Sequence, residues 1–202
     1  MKDSKNSIGQ SLLDYPRPSV AVDTAVVTVS EGRVCVLLVR REEDHQHGKW
    51  ALPGTFLRER EALADAVLRC LREKAGISGR VPRQLHVFDE PGRDDRGWVL
   101  SVAHVDVVPL AALDEALKSD GVRLASVAGE PDLIAGLPYG HADIVAKAVE
   151  WLRAAYAEDP DPGELLDEPF TLRDLRELHE AVVGGTLMRD TFRRFMEPKL
   201  TG

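Results

Sequence analysis

The sequence predicts an α/β fold built on a mixed sheet, followed by a small helix-turn-helix unit. Three observations carry that prediction. Strand-like apolar runs alternate with amphipathic helical stretches as far as residue 157. An acidic, proline-containing segment, "EDPDPGELLDEP", then interrupts the pattern as a boundary between units does. Beyond it stand two helical stretches joined by Gly184 and Gly185.

The chain has 202 residues, enough for one domain of ordinary size and a second, small one. Its net charge of -8 excludes a protein coated in positive charge, so any basic surface must be local. Cys35 and Cys70 have no paired-ligand spacing, which argues against a disulfide scaffold or a cysteine zinc site and for a reducing, cytoplasmic setting. There is no apolar run long enough for a membrane span, and "MKDSKNSIGQSLLDY" lacks the apolar core of a signal peptide. Residues 1–15 are expected to form a flexible tail.

Taken in order, "SVAVDTAVVTVS" and "RVCVLLVRR" flank Glu31 and Gly32 as the strands of a hairpin. A polar loop follows, in which His45 and His47 are expected to be exposed. "WALPGTFL" reads as a short strand broken at Pro53 and Gly54. From Ala62 to Ala75 the residues Leu63, Val67 and Leu71 recur every four positions, giving a helix with one packing stripe that Gly76 can end in a left-handed cap. "VPRQLHVF" and "WVLSVAHVDVVP" are strand candidates on either side of the charged loop "DEPGRDDRG". "HADIVAKAVEWLRAAYA" is a second amphipathic helix, with His141 at its start as a cap or a packed residue. Past the boundary, Thr171 and Asp174 have the spacing of a helix N-cap, ahead of a stripe of Leu172, Leu175, Leu178 and Val182.

The last helix is expected over Arg189–Met196, with Phe192, Phe195 and Met196 packing on the preceding helix. Arg189 and Arg193 lie one turn apart on another side, with Arg194 adjacent, Lys199 just beyond and the Thr191 hydroxyl between them. That division, packing residues on one side and phosphate or groove donors on the other, is what a recognition helix needs. Met188 stands where a polar cap would be expected.

"WALPGTFL" together with "REALADAVLRCLREKAGI" resembles the loop-helix-loop of the Nudix fold, an α/β/α sandwich around a mixed sheet. The family box reads G-x5-E-x7-R-E-U-x-E-E-x-G-U, with U an apolar residue. Laid on this chain it puts Glu61 on the first acid, Arg69 on the arginine, Glu73 on a late acid, and Gly76 and Ile77 on the close. Cys70 and Lys74 fall on the other two acids, and Thr55 on the leading glycine with Gly54 beside it. The resemblance implies helix carboxylates that hold Mg2+ against a diphosphate, from positions 70, 73 and 74 on one side of the helix. A thiol is a poor ligand for so hard a cation, and an ammonium repels it. The box is therefore read as degenerate, with no catalytic residue and no metal site. Against this stand a chance pattern in an amphipathic helix, and a metal held with the help of Glu59.

A nucleotide pocket is still expected. Arg40 and Arg41 end a strand, Leu52, Pro53 and Gly54 lie in the loop before the box, and Arg93, Asp94 and Arg96 sit in the charged loop. Arginine forks suit diphosphate oxygens. With "YPRPSVAVD", "GRDDRGWVLSVAHVDVVP" and the tail "FTLRDLRELHEAVVGGTLMRDTFRRFM", the chain resembles Nudix-related transcriptional regulators, in which a Nudix-like sensor is fused to a C-terminal winged helix-turn-helix. This implies a sensor over 16–157 and a DNA-binding unit over 158–202. It also implies a double-stranded operator, a homodimer, ADP-ribose or a related nucleotide as effector with no required cofactor, and repression of NAD or sugar metabolism genes without a membrane partner. The chain stops at "KLTG", so the family's β-hairpin wing is expected to be absent or shortened. The alternatives are an active Nudix hydrolase on ADP-ribose or nucleotide sugars, and a nucleotide sensor whose tail contacts another protein.

Overall fold

The computed structural model describes residues 11–200, without the side chain of Leu12. Most of the expected N-terminal tail lies outside the described residues; at its end Ser11 caps a single 3-10 turn over Leu12–Asp14.

The first two long strands, β1 (Ser19–Ser30) and β2 (Arg33–Arg40), form the expected hairpin. Its two-residue turn puts Glu31 at φ 50° and Gly32 at φ 69°, and two successive positive φ angles match the twist of the flanking strands. Pro53 and Gly54 do interrupt the next strand, leaving β3 (Trp50–Ala51) and β4 (Gly54–Phe56). The box helix α1 (Leu63–Ala75) ends at Gly76, φ 66°, whose amide donates to the Arg72 carbonyl. β5 (Arg83–Phe88) and β6 (Val99–Val107) follow as read. Between β6 and the next long helix lie β7 (Val122–Ser126) and a short helix, α2 (Pro131–Ala135). α3 (His141–Glu158), α4 (Leu172–Val183) and α5 (Arg189–Leu200) complete the chain.

The sheet is mixed, in the order β3-β2-β1-β6-β5, with β4 on β1 and β7 on β2. β1 is its axis: it runs parallel to β6 over its first nine residues, antiparallel to β4 at Ala21–Asp23, and antiparallel to β2 beyond Val27. Because both faces are covered, the strands read as nearly unbroken apolar runs. Val22, Val26, Leu37 and Val39 pack on Val67, Leu71 and Ala75 of α1. On the opposite face Ala25, Val27, Val36 and Leu38 meet Ile144, Val145, Ala148 and Leu152 of α3. The result is the α/β/α sandwich expected.

α4 begins with the Thr171 cap, whose hydroxyl accepts from the Asp174 amide at 3.2 Å while the Asp174 carboxylate accepts from the Thr171 amide at 2.8 Å. Its Leu178 and Val182 are buried in the same core as Leu152 and Tyr156 of α3. The acidic linker thus connects α4 back onto the sheet. Asp161 organises it, accepting from the Tyr156 hydroxyl at 2.6 Å and from the amides of Leu165 and Leu166. The residues that look like a loose boundary in sequence are ordered by one carboxylate that satisfies three donors. A small second core forms where Leu175 meets Phe192 and Met196 of α5.

Two expectations about α5 need correction. The helix continues four residues past Met196 to Leu200, with Pro198 in its last turn. Phe195 does not pack on α4: it is 52% exposed, and its ring lies under the Lys199 ammonium at 4.3 Å. Phe192 and Met196, four apart, suffice for the contact. Among the described residues no strand follows α5, and no helix is long and apolar enough to cross a membrane.

His179 of α4 is buried between the rings of Tyr156 and Phe192, and its Nε2–H donates to the Pro160 carbonyl at 2.6 Å. If α4 belongs to the main core, Leu178→Ala will cost about 2–5 kcal/mol, and calorimetry will show the main unfolding transition moving to lower temperature instead of a separate tail transition. Burial holds the His179 imidazole below its ordinary pKa of 6.5, against the pull of its hydrogen bond to Pro160. The unfolded chain then binds the proton more readily, so this contribution to stability is complete above pH 6.5 and is lost as the pH falls toward the lowered value. Thermal unfolding followed by circular dichroism should show a melting temperature that declines below pH 6.5, and His179→Gln should flatten the decline, leaving the share of His104, which burial also depresses.

Candidate functional site

A cavity opens at the end of the sheet where β1, β4 and β6 meet the start of α3. Its floor is Asp23. The hydroxyl of Ser101 on β6 donates to Asp23 Oδ2 at 2.5 Å, and His141 Nε2 lies 3.3 Å from Oδ1. The Leu52 amide donates to His141 Nδ1 at 3.0 Å, and since an amide can only donate, Nδ1 is the bare nitrogen and the proton sits on Nε2, facing Asp23. Burial pushes the Asp23 carboxyl up, but attraction and hydrogen bonding from His141, the Ser101 bond and the charge of Arg93 outweigh it, leaving the group below its ordinary value. Gly54 is required here, because a Cβ would stand 2.0 Å from Asp23 Oδ1.

The walls carry positive charge and aromatic surface. Arg41, Lys74, Arg93 and Arg96 line a volume of about 160 Å3 with Tyr139 and Phe56. Arg96 is fixed by a two-pronged bond to buried Asp94, at 2.9 and 2.7 Å, and its guanidinium lies over both Tyr139 and Phe56. The hydrogen bond from Arg96 also holds the Asp94 carboxyl below the usual carboxylate range. Arg93 Nη2 donates to the Tyr139 carbonyl at 2.8 Å. Arg41 stacks on the Tyr139 ring, donates to the His45 carbonyl and pairs with Glu43. A second cavity, about 240 Å3, adjoins it and also has Arg41, Glu43, Leu52 and Lys74 in its lining, together with Arg40 and Glu73.

Of the eight residues expected around a nucleotide, six line the Asp23 cavity: Arg41, Leu52, Gly54, Arg93, Asp94 and Arg96. Arg40 lines only the second cavity. Pro53 lines neither; it is buried, and its carbonyl accepts from the Thr24 amide at 2.9 Å. His45 is not simply exposed as expected, for its Nδ1 bonds the Tyr139 hydroxyl at 2.6 Å. His47 is exposed. Tyr139 and Asp23 are the residues that sequence reasoning passed over. A tyrosine at φ 59° directly before a left-handed glycine is a signal only once the backbone is known, and Asp23 is one polar residue inside an apolar strand.

The box residues build a brace. Arg69 holds both oxygens of Glu61, at 2.7 and 2.8 Å, and also reaches Thr55 Oγ1 and the Phe56 carbonyl. This ties the loop after β4 to α1. The hydrogen bond from Arg69 lowers the Glu61 carboxyl to about 2. Glu73 is half exposed and 3.6 Å from Arg69 Nη1, the pairing its position suggests. Cys70 is buried, lines neither cavity, and burial pushes its thiol up to about 12, so it stays protonated. Lys74 reaches Glu43 at 2.6 Å, and Glu59 pairs with Arg60 in the loop. Among the described residues no three histidines, cysteines or acids are grouped to hold a metal ion. The donor set does not fit the Mg2+ that the Nudix fold implies.

At the other end, α4 and α5 form a groove lined by Arg173, Arg176, Arg189 and Arg193. Three of these pair along their own helices, Arg173 with Glu177, Arg176 with Glu180 and Arg193 with Glu197, while Arg189 has no carboxylate within 4 Å among the described residues. Thr191 and Arg194 are exposed, Arg194 donating to the Asp190 carbonyl, not to its carboxylate. Lys199 turns away from that face and donates to the Glu158 carbonyl at the end of α3.

Comparison with known proteins bears on both ends. Residues 17–133 match the NUDIX domain, and residues 162–200 match the NrtR DNA-binding winged helix domain. The ADPR responsive transcriptional repressor NtrR of Acinetobacter baylyi is 31% identical over 189 residues, 91% of this chain and 74% of that protein. The ADP-ribose pyrophosphatase of Methanocaldococcus jannaschii is 30% identical over 68% of this chain and 76% of its own length. Among solved structures, Shewanella oneidensis NrtR complexed with a 27mer DNA superposes with a TM-score of 0.76 at 30% identity, covering 89% of this chain and 82% of that one. The NUDIX domain of the same protein complexed with ADP ribose gives 0.60 at 25% identity, covering 75% and 99%. This chain belongs to the NUDIX family, in the branch whose members carry an NrtR DNA-binding winged helix domain after the NUDIX domain.

Proposed function

We propose that this chain is a transcriptional repressor that binds double-stranded DNA through α4 and α5 and senses ADP-ribose, or a related nucleotide, in the cavity above Asp23, without hydrolysing it. The observation that carries the reading is the pairing of a cation-lined cavity with a box helix that has no acid cluster, on a chain that ends in a winged helix domain. Relatives with both domains include an ADPR responsive repressor. A dimer is part of the proposal, because two recognition helices about one DNA turn apart suit a palindromic operator.

Residues 16–157 are the sensor in this reading and 158–202 the DNA-binding unit. Arg189, Thr191, Arg193 and Arg194 of α5 are the DNA-facing set. Lys199 serves instead to tie α5 to α3. In the cavity, Arg93 is suited to an anion because its hydrogen-bond partner among the described residues is a carbonyl, whereas Arg96 is already held by the Asp94 carboxylate. The Tyr139 and Phe56 rings offer stacking surface. For an effector to release DNA, it must bind one arrangement of the two units more tightly than the other. α3 is the physical link between them: it starts at His141 in the cavity and, about 22 to 26 Å on at 1.5 Å per residue, presents Tyr156 to His179 and the Glu158 carbonyl to Lys199.

Fluorescence anisotropy with the DNA upstream of the chain's own operon, at two salt concentrations with and without ADP-ribose, tests the reading. Binding should weaken steeply with salt and be reversed by ADP-ribose, while ADP-ribose incubated with Mg2+ or Mn2+ should stay intact; turnover would favour the hydrolase that the pyrophosphatase relative exemplifies. Arg189→Ala should weaken DNA binding and lower the salt slope by about 0.9 if its contact is to one phosphate. A weak, salt-insensitive interaction would point to a protein partner for the tail.

A further inference from the structure

We propose that Lys74 supplies from within the chain the positive charge that a diphosphate would otherwise take from a metal ion, and that Glu43 is the latch that holds this ammonium until the ligand arrives. The inference deepens the reading above and rests on it for the nucleotide, though not for the diphosphate.

Four cations face the Asp23 cavity, and their partners differ in how readily they can leave. Arg96 is held by Asp94, whose side chain is 2% exposed and has nowhere to go. Arg41 is clamped three ways, by the His45 carbonyl, the Tyr139 ring and Glu43. Arg93 is engaged by a carbonyl. Lys74 is different: its ammonium reaches one carboxylate, Glu43 Oε1 at 2.6 Å, and that carboxylate is 50% exposed. An exchange of partners there costs little, since Glu43 can rotate into water while a phosphate oxygen takes its place, and an exposed ion pair contributes little stability to lose.

The position of the latch matters as much as its weakness. Arg41, Glu43 and Lys74 line both cavities, so the Glu43 bridge lies where the two adjoin. Neither volume alone, about 160 and about 240 Å3, reaches the size usual for a site holding a small organic molecule. Withdrawing Glu43 would release two cations that line both cavities, Lys74 and Arg41, with Arg93 in the lining of the first. A diphosphate would find there the counter-charge its oxygens need. Around Lys74 no oxygen cluster competes for Mg2+: Cys70 is buried as a thiol, Glu61 is consumed by Arg69, and the described residues group no three ligands.

Isothermal titration calorimetry of the full chain, with ADP-ribose and separately with inorganic pyrophosphate, both in EDTA, tests this. Both should bind without metal, and added Mg2+ should change the ADP-ribose affinity by less than about twofold. Lys74→Gln should weaken both ligands by about tenfold or more, the loss of one charge-assisted contact, and Glu43→Gln should tighten both. Melting temperatures near that of the parent chain would show that these surface-side changes leave the fold intact. A requirement for Mg2+, or Lys74→Gln binding as the parent does, would overturn the proposal while leaving an ADP-ribose sensor standing. Pyrophosphate bound in a Lys74-dependent way with no ADP-ribose binding would uphold the role of Lys74 and overturn the nucleotide. Failure of both ligands would overturn both.

Discussion

The buried carboxylate of Asp23 is the point on which the rest of the site depends. It lies on β1, accepts a hydrogen bond from Ser101 on the parallel neighbour β6, faces His141 at the start of α3, and fills the space that a Cβ at its β4 ladder partner Gly54 would take. Through His141 it also fixes the Leu52 amide. A buried charge is tolerated only when its partners are in place, so this one group constrains the relative position of three strands and a helix. The cavity exists because those elements converge on a polar point that the apolar packing leaves open.

The box helix keeps the architecture of its motif with other side chains at two of the acid positions. Glu61 and Arg69 sit where the family pattern puts them and form a brace with four hydrogen bonds, tying the loop after β4 to α1. That brace places Thr55 and Phe56 in the cavity wall. Two positions that the family pattern gives to acids hold here a buried thiol and a paired ammonium. The helix therefore has a structural role in the cavity that does not require a metal ion.

The two ends are joined by continuous packing. α4 shares the main core through Leu178 and Val182, and α5 packs on α4 through Phe192 and Met196. His179 touches α3, the linker and α5 at once. In the proposed repressor, a displacement of α3 at His141 would reach the arginine face through these packed side chains, because a close-packed interior does not deform locally.

The order and type of the long elements were legible in the sequence, because hydrophobic period and cap residues are local signals: the Glu31-Gly32 turn, the Gly76 cap and the Thr171–Asp174 box were all readable and all hold. So were six of the residues that line the cavity, since loops rich in arginine beside strand ends announce themselves by composition. Tertiary structure alone decided the rest. Whether an arginine is available or committed depends on a partner brought near by folding, as Asp94 is to Arg96 by the turn of its loop, and Glu43 to Lys74 across 31 residues. The linker's composition suggested separation, but Asp161 satisfies three donors and folds it back, a result that no local pattern encodes. Asp23 and Tyr139 gave no periodic or motif signal; their importance comes from what converges on them, and convergence is a property of three-dimensional packing.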